Sequence, residues 1–147
     1  MTDAATLNAT ARIRQLVDLT SRLTARLSEE SKAFESRRPQ DAAATMVATQ
    51  ELANAYRRES AQLKANPASV AAAPALDRTA LIRATEAFEV VLSRHARAVE
   101  AARIVSEGLV KTIAAEVAGQ RGNPSAYGAS GHANSGDGRA VAFNRQA

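Results

Sequence analysis

The sequence predicts an all-α protein with three long antiparallel helices, packed as a helical hairpin or coiled-coil-like bundle, and a disordered Gly-rich C-terminal tail. Three observations lead to this class. Alanine fills 35 of the 147 positions and occurs with Arg, Glu, Leu and Gln, which all favour helix. Apolar residues recur in steps of three and four. Six of the seven glycines lie within residues 119–147. Because much of the apolar content is alanine, we expect close helix packing rather than a thick core.

Helix 1 is predicted over about residues 7–36. Five of the seven positions on its seam are apolar, which is typical of a helix packed lengthwise on another. The helix should end before Pro39, because proline disfavours helical dihedrals in the residue that precedes it. Asp41 is then placed to cap the next helix. The seam comprises Ile13, Leu16, Thr20, Leu23, Leu27, Glu30 and Phe34.

Helix 2 is predicted over about residues 42–65, with a thin apolar face. Tyr56 and Leu63 should supply most of its packing, since the other members of the face are small or polar. Pro67 and Pro74 follow, and together they predict an extended connector. The face comprises Ala42, Met46, Thr49, Ala53, Tyr56, Ser60 and Leu63.

Helix 3 is predicted over about residues 78–118, with Asp77 as its N-cap and a length of about 60 Å at 1.5 Å per residue. Near its C-terminal end three apolar residues lie off the main stripe, so the apolar surface widens beyond what one partner helix needs. Two interpretations stay open for this surface: contact with helix 2 or a homodimer mate, or a groove for another protein's helix. The main stripe comprises Leu81, Phe88, Val91, Leu92, His95, Val99, Ala102, Val105, Leu109 and Ile113, and the three additional residues are Ile104, Val110 and Val117.

The predicted domain organisation is a helical bundle over residues 1–118 and a flexible tail over residues 119–147. The tail is rich in Gly, Ser and Asn and has too few apolar groups to offset the entropy cost of ordering. Tyr127 stands within it, in the stretch NPSAYGASG. Such an isolated aromatic suits docking into a preformed pocket of a partner. The alternative is that the ring packs back onto helix 3.

Composition and charge limit the classes of function. The net charge is +4, yet the basic residues are interleaved with acidic ones along the helices and form no basic stripe, so we expect no nucleic-acid binding. Cysteine is absent, there is no secretory signal pattern, and no segment approaches the roughly 20 apolar residues that span a bilayer. We therefore expect a cytoplasmic protein without membrane insertion.

The sequence contains no motif for catalysis or for binding a metal or cofactor. It lacks a Gly-rich phosphate loop, a His-Glu-x-x-His motif and a nucleophile elbow. His95 lies on the helix 3 stripe. A histidine that hydrogen-bonds within the bundle is a simpler interpretation than a metal ligand. Glu29 and Glu30 are neighbours that point about 100° apart on a helix and cannot share a proton. We expect no enzymatic activity and no cofactor.

The sequence resembles the FlgN family of flagellar export chaperones, in particular its divergent Ala- and Arg-rich members of the FlbY type. The likeness covers about residues 10–131 and rests on LVDLTSRLTARLSEESKAFESR in helix 1, ELANAYRRESAQL in helix 2 and a long third helix. It is strengthened by a Tyr-Gly-x-x-Gly ending at Tyr127, Gly128 and Gly131.

This resemblance implies a non-enzymatic chaperone that holds the hook-filament junction proteins FlgK and FlgL by their C-terminal helical ends before export. The family's C-terminal helical segment contributes to cargo binding. The family's C-terminal tyrosine is associated with docking on the export gate FlhA, which here implies Tyr127 with Gly128 and Gly131. The implied cargo-binding residues are Ile104, Val105, Leu109, Val110, Ile113 and Val117.

Other classes of protein share parts of this pattern. A granule-coating protein of the phasin type is also Ala-rich, helical and amphipathic, but it has no use for a tyrosine at a fixed place in the tail. A general coiled-coil interaction protein and a nucleoid-associated or RNA-binding helical protein are further alternatives. Salt-dependent retention on DNA would reveal the last of these.

Overall fold

The structure, a computed structural model, describes residues 3–121 and contains five helices and no strand within that range, which confirms the predicted all-α class. The helices are α1 (Ala4–Glu35), α2 (Pro39–Ala43), α3 (Met46–Ala65), α4 (Pro67–Ala71) and α5 (Ala75–Arg121). Most of the predicted tail lies outside the described residues. The chain divides into two compact units, Met1–Ala102 and Arg103–Ala147.

The three long helices of the first unit alternate in direction, as predicted. Leu63, near the end of α3, packs with Ile13 and Leu16 in the first half of α1, so α1 and α3 are antiparallel. Helix α5 runs in the same direction as α1, because Arg14 meets Asp77 while Glu30 meets His95 further along both helices.

Two apolar clusters form the core of the first unit. The first joins Ala9, Ile13, Leu16, Leu63 and Ala73, and the second joins Leu23, Leu27 and Phe88. Tyr56 packs against both clusters, and its ring centroid lies 5.1 Å from that of Phe88. The prediction that Tyr56 and Leu63 provide most of the packing on their helix is consistent with these contacts.

The predicted seam of α1 is buried along its length, apart from the half-buried Phe34. Its two polar members have partners. The Thr20 hydroxyl donates to the Leu16 carbonyl oxygen at 2.7 Å, and the Glu30 carboxylate lies 3.1 Å from His95 Nε2. The His95 ring also meets Phe34 edge to face. Because a buried polar group costs stability unless it is hydrogen-bonded, these contacts offset the burial of Thr20 and of Glu30 Oε1, while Glu30 Oε2 is buried without a hydrogen-bond partner among the described residues.

Helix α1 ends in a capping turn at Arg37, which has a positive φ of 59°. The Arg38 N–H donates to the Ala33 carbonyl oxygen at 2.8 Å, and the Arg37 N–H donates to that of Phe34 at 3.1 Å. This is the Schellman pattern, whose left-handed position is usually glycine. Pro39 then begins α2, where its missing N–H costs no helical hydrogen bond.

Replacing Arg37 with glycine should stabilise the protein by about 1 kcal/mol, because a side chain at a left-handed position costs roughly 1–2 kcal/mol. Urea denaturation would measure the change. Arg38→Gly is the control, since the φ of Arg38 is −125° and glycine there gains nothing. A destabilised Arg37→Gly variant would contradict this explanation of the turn.

The segment predicted as one helix over residues 42–65 consists of α2 and α3, and the predicted capping role of Asp41 is wrong. Asp41 lies within the first turn of α2 and pairs with Arg38 at 3.3 Å. Thr45 stands at the N-cap position of α3 but makes no side-chain capping hydrogen bond to it. Met46, which was predicted on the packed face, is the first residue of α3 and is exposed.

The predicted extended connector and the predicted N-cap at Asp77 are also wrong. Pro67 occupies the first turn of the short helix α4, a position that proline tolerates, so the connector folds back as a helical turn. Helix α5 begins at Ala75, directly after Pro74. Asp77 therefore lies inside the first turn, buried, and accepts a hydrogen bond from Arg14 Nε at 2.8 Å.

An ion pair between α1 and α5 makes stability depend on pH. Arg94 donates two hydrogen bonds to the Glu35 carboxylate, at 2.6 and 2.9 Å, and these bonds lower the pKa of Glu35 below its ordinary value of 4.5. A carboxyl group whose pKa is lower in the folded state stabilises the fold above its unfolded-state pKa. That contribution disappears as the pH falls through the folded-state pKa.

The variant Glu35→Gln should therefore be less stable than the wild type at neutral pH, and the difference should vanish at acidic pH. The effect will be small, since both side chains are partly exposed. Denaturant titrations at several pH values would measure the free energy of unfolding of both proteins. A difference that stays constant across the titration of Glu35 would show that the ion pair does not cause it.

Candidate functional site

The second unit begins, in the described residues, with the C-terminal part of α5 from Arg103 to Arg121. This segment contains three Ala and two Glu, which favour helix, and no proline, so its sequence sustains a helix. At 1.5 Å per residue it is about 28 Å long. Every side chain from residue 103 to residue 120 is exposed.

Six large apolar residues are exposed on this segment and form what we call the C-terminal apolar face. Four of them follow one another at intervals of four residues, so each is rotated by about 40° from the one before and together they form a slowly winding line. Of the other two, Val110 flanks that line. Leu109 and Ile113, at its centre, are 59% and 54% exposed. The face consists of Ile104, Val105, Leu109, Val110, Ile113 and Val117.

Most charged residues of the segment lie on the side of the helix opposite that line, where Ile104 also lies. Arg103 pairs with Glu107 one turn later, and Lys111 continues this side of the helix. Glu116 is the exception, because the helical period places it beside the line of apolar residues. The segment is therefore amphipathic, with apolar and charged sides that are both in contact with solvent.

The interior of the C-terminal apolar face contains a glycine. Nothing lies within 4 Å of the position that a Cβ at Gly108 would occupy, so no packing within the described chain requires a glycine there. Glycine costs about 1 kcal/mol relative to alanine inside a helix. The Thr112 hydroxyl, on the next turn, donates to the Gly108 carbonyl oxygen at 3.0 Å.

The structure brings all six predicted cargo-binding residues together on one helix and leaves all of them exposed. Their spacing predicted an apolar stripe, but the sequence left open whether helix 2 covers it. Two other members of the predicted helix 3 stripe, Leu92 and Val99, are also exposed rather than packed. Tyr127, Gly128 and Gly131, the predicted export-gate residues, lie outside the described residues.

The described residues leave a large apolar surface in contact with solvent at the C-terminal end of α5. No group of acidic and histidine side chains within residues 3–121 is arranged to hold a metal ion. Within residues 3–121 we find no helical segment with the length and hydropathy of a membrane span. An all-α bundle with an exposed amphipathic helix is typical of helical proteins that bind other proteins.

Comparison with known proteins identifies the family. The chain is 48% identical over 146 residues to the flagellar basal-body protein FlbY of Caulobacter vibrioides. The alignment covers 97% of this chain and 98% of that protein. The protein belongs to the FlbY family of flagellar proteins. No family model and no solved structure matches the chain. The flagellar part of the predicted resemblance is thus confirmed, while membership of the FlgN family stays a prediction.

Proposed function

We propose that the protein is a non-enzymatic chaperone of flagellar type III secretion. In this proposal it binds the C-terminal helical ends of the hook-filament junction proteins FlgK and FlgL in the cytoplasm and delivers them to the export gate FlhA. The observation that carries the proposal is the C-terminal apolar face, because six large apolar side chains on one helix are left in water. The FlbY relative, named as a flagellar basal-body protein, supports a flagellar role.

The proposed mechanism is the covering of apolar surface. A helical cargo terminus that self-assembles after export exposes apolar side chains beforehand, and an amphipathic helix can cover them along a shared seam. The segment has room for this, since about 28 Å of helix corresponds to five turns. Release at the gate requires that the complex dissociates readily, so we expect moderate affinity with fast exchange.

The proposal is tested with purified FlgK and FlgL. Each is mixed with the full-length protein and analysed by size-exclusion chromatography and by isothermal titration calorimetry. We expect a complex that is lost when the C-terminal helical end of the cargo is deleted. Unchanged binding to the shortened cargo, or no complex with either cargo, would contradict the proposal.

In the proposal, Tyr127 is the residue through which the protein docks on the export gate. The variant Tyr127→Ala should keep full affinity for cargo and bind the cytoplasmic domain of FlhA more weakly, because the tyrosine ring supplies the contact with the gate and none with the cargo. Phe143→Ala is a matched control, since it removes another aromatic ring of the same segment. Parallel titrations with FlgK and FlhA measure both affinities. Equal losses for the two partners would refute the separation of roles.

A further inference from the structure

The first unit contains an open apolar groove with a volume of about 850 Å³, bounded by α1, α3, α4 and α5. Its floor is formed by Leu16, Thr20 and Leu63, all buried. The half-buried side chains of Tyr56 and Leu81 form part of its walls. This volume lies within the usual range of small-molecule and cofactor sites, roughly 300–1,000 Å³.

The groove exists because small side chains lie between a pair of aromatic rings at one end and a short helix at the other. At one end the rings of Tyr56 and Phe88 pack between α3 and α5, and at the other end α4 closes the space. Between these ends the walls carry Ser60 and Thr85, which are too small to fill it. The Thr20 hydroxyl on the floor already donates a hydrogen bond within its own helix. An apolar ligand would not break that bond, so binding would leave no unpaired hydroxyl.

The charged residues on the lining of this groove are both basic. Lys64 and Arg78 contribute to the lining, which includes no carboxylate. Arg78 is held in place by its Nη1, which donates to the carbonyl oxygens of Ala71 and Ala73. A guanidinium has five N–H donors, so other donors stay available for a ligand. Within residues 3–121 no carboxylate forms an ion pair with either cation.

We propose that this basic-rimmed groove binds an acidic amphipathic helix of a partner protein. Apolar side chains of the ligand pack on Leu16, Leu63 and Leu81, and its carboxylates meet Lys64 and Arg78. The lining on α3 extends from Tyr56 to Lys64, which corresponds to about 12 Å or two helical turns. The groove is open along this length, as a helix requires. It uses none of the residues of the C-terminal apolar face, so it goes beyond the chaperone function proposed above.

Two synthetic peptides test this proposal with the full-length protein. The first is a fluorescein-labelled helical peptide of about 14 residues, enough to span the groove, with Leu at helical spacing on one side and Glu on the other. The second has Lys in place of every Glu. Fluorescence anisotropy should show binding of the Glu peptide alone, and this binding should weaken as salt is added.

Variants then locate the site. Lys64→Glu should weaken binding of the Glu peptide by about tenfold or more, since it replaces attraction by repulsion at the rim. Arg58→Glu is the matched control, an exposed charge reversal on α3 that does not line the groove, and it should change affinity by less than about twofold. Ser60→Leu, which fills the groove without adding charge, should also abolish binding.

Several results would overturn the proposal. They are failure of the Glu peptide to bind, equal binding of both peptides, or equal losses in Lys64→Glu and Arg58→Glu. Concentration-dependent dimerisation that Ser60→Leu abolishes would instead show that a second copy of the chain occupies the groove. Sedimentation equilibrium measures this, and thermal unfolding confirms that each variant is folded.

Discussion

Replacing Leu109 or Ile113 with aspartate is expected to abolish cargo binding while the protein stays folded. Both side chains are more than half exposed, so an aspartate at either position is solvated in the free protein and costs the fold little. In the complex each is expected near the centre of the buried surface, where an unpaired carboxylate is strongly unfavourable and where hot-spot residues contribute about 2 kcal/mol or more. Calorimetry with FlgK measures the affinity, and circular dichroism measures the fold.

Ala118→Asp provides the matched control for this prediction. Ala118 follows Leu109 by nine residues, which places it on the opposite side of the same helix, and it is also exposed. The control variant should bind cargo like the wild type. Loss of cooperative melting in Leu109→Asp or Ile113→Asp would show that these residues belong to a core. Equal binding by all three variants would remove the C-terminal apolar face from cargo recognition.

Replacing Phe88 with alanine is expected to lower the free energy of unfolding by about 3–5 kcal/mol. Phe88 is the one large residue that α5 buries in the second core cluster, where it meets Leu23 and Leu27 of α1 and the ring of Tyr56. Its removal leaves a cavity between α1, α3 and α5, and the cost of that cavity adds to the lost burial of apolar surface. It should also loosen the spacing between α3 and α5.

Urea denaturation at equilibrium measures the effect of Phe88→Ala. Ile82→Ala is the matched control on the same helix, because Ile82 is mostly exposed and should lose no more than about 0.5 kcal/mol. Similar losses in the two variants would contradict the assignment of Phe88 to the core.

The long helices could be predicted from sequence because their apolar residues keep the helical period over many turns. The seam of α1 is the clearest case, since Ile13, Leu16, Leu23 and Leu27 recur at helical spacing and are all buried. The same period placed Leu109 and Ile113 on one side of α5. Periodicity does not show whether such a side faces another helix or water. The structure was needed to show that Phe88 is buried while Leu109 is exposed.

The connectors could not be predicted in the same way. The prolines at positions 67 and 74 predict an extended connector, but Pro67 stands in the first turn of a short helix, where proline is tolerated. Asp77 resembles an N-cap in sequence, yet the tertiary contact with Arg14 gives it a different role. The basic-rimmed groove leaves no local signal, since it depends on residues from four helices that meet only in the folded unit.

The central claim is that the C-terminal apolar face binds flagellar cargo, and hydrogen exchange with mass spectrometry tests it most directly. The full-length protein would be compared alone and in the presence of purified FlgK. We predict slower exchange over residues 103–121 in the complex, because cargo binding stabilises this exposed helix. Exchange in α1 and α3 should stay unchanged. Unchanged exchange over residues 103–121, with protection confined to other helices, would contradict the claim.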